Sequence, residues 1–104
     1  MLSNILKKGN LLNLIRIIIG ESGRFPELAK IYVNNSVKPG IEALSTYLQV
    51  HPQLQIEDPT ASARIIIGTL VYYVILQEML YGDEIIPLQS DRLIDSLIDS
   101  ITRN

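Results

Sequence analysis

The chain has 104 residues, about one domain's worth, with 47% hydrophobic and 19% charged residues and a net charge of −2, which excludes a disordered polyelectrolyte. The nine lysines and arginines are scattered, which excludes direct binding of duplex nucleic acid by this segment, because phosphate contacts need clustered cations. The absence of cysteine excludes a disulfide scaffold and a thiolate metal site and fits the cytoplasm, and no secretory leader is visible at the start.

The pattern is helical nearly throughout. Ser3 to Lys8 reads as one or two turns stopped by Gly9, with Asn10 placed to cap the next helix. That helix carries Leu11, Leu12, Leu14, Ile15, Ile18 and Ile19, whose 3–4 spacing outweighs the β-like run Ile17-Ile18-Ile19. Gly23 suits its stop. Pro26 then belongs at a first helical position, where its missing N–H costs nothing, and Glu27 favours the positive end of the helix dipole. Pro39-Gly40 predicts a break or kink. Ile41, Leu44, Tyr47 and Leu48 resume the helical spacing up to about His51, before Pro52. Asp58-Pro59 is the clearest helix start, an N-cap followed by proline, and the helix is expected to reach Tyr81 with Gly82 as terminator.

That long helix is apolar on two faces. One carries Ala61, Ile65, Gly68, Tyr72, Ile75 and Met79, the other Ala63, Ile67, Leu70, Val74 and Tyr81. Its uncharged run from Ile65 to Leu76 is shorter than the ~20 residues a membrane span needs, so a buried core helix with no membrane is expected. Burial on both faces of so small a domain predicts that one face meets another subunit. Gly68 would let a second helix approach. After a loop containing Pro87, Ser90 can cap a last helix with the stripe Leu93, Ile94, Leu97, Ile98 and Ile101; Asp91, Asp95 and Asp99 lie opposite as a solvated face, not a metal site.

Two segments together carry a resemblance. Glu21-Ser22-Gly23-Arg24-Phe25-Pro26-Glu27-Leu28-Ala29 joins two helices, and Asp58-Pro59-Thr60-Ala61-Ser62-Ala63-Arg64 opens the long apolar one. In order and spacing, over roughly residues 10–103, they resemble the C-terminal regulatory domain of TetR/AcrR-type transcriptional regulators. The resemblance implies an all-α fold of about five helices, 1–104 forming a single regulatory domain, the last two helices pairing with those of a second copy as a four-helix bundle. It also implies a small-molecule pocket in each subunit. The family's DNA-binding helix-turn-helix head has no counterpart within the chain, which reads as an excised domain that would reach DNA only through a missing N-terminal domain, or as a naturally headless relative.

Pockets are mostly apolar with a few orienting polar groups. Tyr32, Tyr47, Tyr72 and Tyr73 offer that mixture, with Gln77 as an amide and Arg64 as an anion partner; each could equally be an ordinary core or surface residue. The expected dimer interface is Ile67, Leu70 and Val74 of the long helix with Leu93, Ile94, Leu97, Ile98 and Ile101 of the last. No cofactor or metal is expected, and no nucleophile, phosphate loop or paired metal ligands point to an enzyme. The leading expectation is an effector-binding, homodimerising domain in which an apolar or amphipathic small molecule shifts the operator affinity of the full-length regulator. The alternative is a free-standing helical dimerisation or adaptor protein without an effector.

Overall fold

The computed structural model describes residues 8–102. Among them helix is the only regular secondary structure, so the all-α fold is as expected. Contacts divide the chain into a first unit ending at Pro39 and a second beginning at Gly40.

The first unit holds helices α1 (Lys8–Glu21) and α2 (Pro26–Tyr32). Gly9 and Asn10 lie inside α1, so the expected stop and cap at these positions are corrected. A helix interior tolerates one glycine at ~1 kcal/mol when the residues around it keep the helical pattern. The turn expected from Ser3 onward falls outside the described residues except at Lys8. Ile18 is the buried side of α1, while Leu11, Leu14, Ile17 and Ile19 are exposed. The helix ends at Glu21, whose carbonyl accepts the N–H groups of Arg24 and Phe25, at 3.1 and 2.8 Å. Gly23 sits in this turn without a positive φ. Phe25 takes the N-cap position of α2 and Pro26 its first turn, as the sequence predicts for Pro26. The Arg24 guanidinium lies 5.2 Å from the Phe25 ring centroid, and Lys30 bonds Glu27 at 3.3 Å. The Arg24-Phe25-Pro26-Glu27 string is thus a turn-and-helix-start device.

Beyond α2 the backbone stays helical. Val33–Val37 form a π turn, closed by the Lys38 N–H donating to the Val33 carbonyl, and α3 (Lys38–Gln49) follows directly. The expected break at Pro39-Gly40 is therefore corrected. Proline has no N–H to give the preceding turn and its ring crowds the carbonyl four residues back. A widened turn just ahead of it absorbs that conflict without ending the helix.

In the second unit α3 ends close to the expected His51. The His51 ring Nδ1–H donates to the Tyr47 carbonyl at 2.7 Å, and the two rings stack with centroids 4.1 Å apart. This satisfies one of the carbonyls a helix C-terminus leaves unpaired. A single 3₁₀ turn, Pro52–Leu54, leads to Gln55 in the left-handed region, φ 56°. Helix α4 (Pro59–Val74) then begins as the sequence predicts, the Asp58 carboxylate accepting the Ala61 N–H at 3.0 Å. Asp58→Ala should lower unfolding free energy by about 1 kcal/mol in urea melts, the usual worth of such a cap.

The end of the long helix differs from expectation. A second π turn, Ile75–Met79, follows α4, and Tyr81 rather than Gly82 adopts the left-handed conformation that reverses the chain, φ 60°. Gly82 has a different duty. It lies buried against the turn above, where a Cβ would stand 2.6 Å from the Leu76 carbonyl oxygen. A 3₁₀ turn, Gly82–Glu84, and an irregular strap lead to α5 (Ser90–Thr102). Gln89 takes the cap position expected of Ser90, its carbonyl accepting from Arg92 and Leu93 at 3.1 and 3.3 Å.

Burial settles which face of α4 turns inward. Ala63 is wholly buried, Gln77 nearly so, and Ile67, Leu70 and Val74 between them are half-buried. Ser45 of α3 and Thr60 of α4 share a hydroxyl hydrogen bond of 3.2 Å, so small side chains bring the two helices together at that level. The other face, with Ile65, Gly68, Val71 and Tyr72, is exposed. The expectation of a core helix is corrected for that face. From Pro59 to Met79 the helix spans 21 residues with a mean hydropathy of 1.5 in its most apolar stretch, and only 6% of that stretch is buried. By length and composition alone it is long enough to cross a membrane.

Candidate functional site

The exposed face of α4 is one side of a groove. Arg64, Ile65, Gly68, Thr69, Tyr72 and Tyr73 of α4 supply that side, continued by Leu76 and the nearly buried Gln77 of the π turn, and Ile86 and Leu88 of the strap with Leu93 of α5 supply the other. The groove encloses about 650 Å³, within the range of small-molecule sites. Side chains spaced three and four apart on a helix share a face, which is why Arg64, Gly68 and Tyr72 fall in one line, with Ile65 and Thr69 in the next. Gly68 meets no neighbour; a Cβ there would find nothing within 4 Å in the chain. Among the described residues no helix makes the close approach expected at Gly68, and the glycine deepens the groove instead.

The groove is apolar with polar groups at defined points. Arg64 is exposed and, among the described residues of the lining, is the one formally charged side chain, so the electrostatic preference is for an anionic group. Tyr73 donates its hydroxyl to the Leu88 carbonyl at 2.5 Å, and Gln77 donates its amide to the Ile86 carbonyl at 3.2 Å. Gln77 is only 6% exposed, yet no buried side-chain polar atom among the described residues is left without a partner. Both bonds tie the strap to α4 and the π turn that continues it.

The structure brings together Arg64, Tyr72, Tyr73 and Gln77 of the residues the sequence suggested for a pocket. Tyr32 and Tyr47 do not line the groove: Tyr32 closes α2 in the first unit, and Tyr47 stacks on His51. A tyrosine's composition says that it could serve a pocket, but its place on a helix decides whether it does. Sequence reasoning missed Ile86 and Leu88, which form the opposite wall from a loop too short for any periodic signal. An available signal was Gln77, a polar residue closing an uncharged apolar run, which has to find a partner when buried. Of the suggested interface residues, Ile94 and Ile98 are exposed at 38% and 54%, whereas Ile67, Leu70, Val74, Leu93, Leu97 and Ile101 are half-buried within the chain. Asp91 and Asp95 are exposed, and no three acidic or histidine groups among the described residues could hold a metal ion.

A family model described as the C-terminal domain of AefR-like transcriptional repressors matches residues 2–103. No curated protein and no solved structure matches the chain.

Proposed function

The chain belongs to the family of AefR-like transcriptional repressor C-terminal domains, and from that premise we propose that it is a single regulatory module that pairs with a second copy and binds a small amphipathic effector. It acts as a binding domain rather than an enzyme. In a full-length member carrying a DNA-binding head, the effector shifts operator affinity by binding the two dimer geometries unequally, since only differential affinity moves such an equilibrium. The observation that carries this reading is the long apolar helix, of which only 6% of the most apolar stretch is buried within the chain. Apolar surface on this scale is the mark of an interaction face.

A second copy is the cover that also accounts for α5. Ile94 and Ile98 face solvent on the helix next to α4 in sequence, and a lipid-facing α4 would leave them unexplained. Pairing therefore rests first on Ile94 and Ile98, with Leu97, Ile101 and the remaining free area of Ile67, Leu70 and Val74 beside them. Leu93 belongs to the groove edge. The effector's apolar body would lie along Ile65, Gly68, Tyr72 and Leu76, with an acidic group at Arg64. The module works in the cytoplasm, where such regulators meet both effector and DNA.

The adaptor reading has one observation in its favour: the hydrogen-bonding groups of Tyr73 and Gln77 are already engaged within the chain. Native mass spectrometry on chain purified without detergent, followed by denaturing release, separates the two. A dimer near twice 11.7 kDa carrying a small amphipathic molecule is the expected result. An empty dimer would favour the adaptor. A monomer at every concentration, or recovery only in membranes, would overturn the pairing.

A further inference from the structure

We propose that the segment from Ile86 to Leu88 is a strap held from inside the groove by Tyr73 and Gln77, so that a ligand competing for these two donors releases α5 and weakens the pairing of two copies. The inference rests on the dimer reading above and adds how the groove would control it.

The strap has little else to hold it. Ile85 is 77% exposed and Ile86 56%, Pro87 is exposed, and only Leu88 is partly covered. Upstream it is anchored, because Gly82 is wedged under the Leu76 carbonyl and the Gly82 carbonyl accepts the Ile85 and Ile86 N–H groups at 3.0 and 2.7 Å. Downstream it runs straight into α5, whose Leu93 already borders the groove. Between these points the described hydrogen bonds to α4 and its π turn are Tyr73 Oη–H to the Leu88 carbonyl and Gln77 Nε2–H to the Ile86 carbonyl. Both donors sit on the groove lining, so a ligand reaching the same lining meets them already spent on backbone carbonyls. A carboxylate or carbonyl ligand offers the same acceptor chemistry as the strap. Its bond to Tyr73 or Gln77 replaces one that holds the strap, which couples occupancy to the placement of α5. Tyr73 and Gln77 are thus positioning residues for the last helix.

The test is hydrogen exchange by mass spectrometry on the intact chain, comparing the parent with Tyr73→Phe, Gln77→Met and the double variant, alongside dimer dissociation measured by sedimentation. Phenylalanine and methionine keep the shape and remove the donor, and unchanged helical circular dichroism confirms that each variant is folded. Losing one such bond should speed exchange in the peptide spanning residues 82–89 roughly five- to tenfold, while exchange across α4 stays as in the parent. The dimer dissociation constant of the double variant should rise at least about tenfold. Decanoate added to the parent chain, as an acceptor-bearing apolar probe, should speed exchange in the same peptide. Unchanged exchange in the strap would overturn the proposal, and faster exchange with an unchanged dissociation constant would overturn its link to pairing. A parent chain that is monomeric throughout would sink the dimer reading alone, since the exchange data still judge the strap.

Discussion

Replacing Ile94 and Ile98 together by aspartate should turn the proposed dimer into a folded monomer. Both side chains face solvent within the chain, at 38% and 54% exposure, so neither substitution removes a large part of the chain's own packing. Aspartate lowers helix propensity by only a few tenths of a kcal/mol at such positions. At a paired interface the same carboxylates would be stripped of water opposite their symmetry mates. An unpaired buried charge costs several kcal/mol, so the double variant should raise the dissociation constant by at least ~10³-fold, equivalent to about 4 kcal/mol. Sedimentation equilibrium reads the dissociation constant and circular dichroism the fold. A variant that remains dimeric at micromolar concentration would place the interface elsewhere on the molecule.

Gly82→Ala should be among the most destabilising single changes in the second unit. The added methyl would stand 2.6 Å from the Leu76 carbonyl oxygen and 3.1 Å from Leu76 Cγ. The first of these neighbours is backbone, fixed by the helix above, so the loop from Tyr81 onward must move instead. Forced insertions of this kind cost about 1–3 kcal/mol, which for a domain of this size lowers Tm by roughly 5–20 °C. Gly40→Ala is the control: a methyl there meets nothing within 4 Å inside α3, and helix propensity should make it neutral or stabilising by up to ~1 kcal/mol. Differential scanning calorimetry of the two variants separates the clash from the general effect of losing a glycine. Equal melting temperatures would show that the strap end adjusts freely.

Two helix starts, at Pro26 and Pro59, were legible because their determinants are local, whereas the caps expected at Asn10 and Ser90 were not found there. Asp58-Pro59 and Pro26 act through their own backbone and side chains, and the structure places each where such residues belong. The helix ends were less so. Tyr81 occupies a left-handed position where sequence rules expect glycine, and Pro39 passes inside a helix because a π turn precedes it. Both depend on what the neighbouring turns do, which no single residue announces. The inward face of α4 was hidden for a different reason. A helix apolar all round gives periodicity nothing to choose between, and the decision fell to small residues, Ala63 against the level of Ser45 and Thr60. Four of the six suggested pocket residues meet because they lie on α4 and the π turn that continues it; Tyr32 and Tyr47 do not join them because tertiary placement, not residue type, decides that. The family itself was legible from two short strings whose order mattered more than either alone.

Among the described residues the buried apolar side chains are Ile18, Leu48 and Ala63, of which only Ala63 is wholly buried. So thin a core leaves less apolar burial to offset chain entropy, and in the proposed dimer the cover over the exposed helices would add to it. When folding leans on association, mass action enters the stability itself: halving the number of copies shifts the balance toward the unfolded chain as surely as a small rise in temperature does. For the proposed dimer, the folded fraction would then be a measure of its own abundance, and scarce copies would be the ones left open to proteolysis.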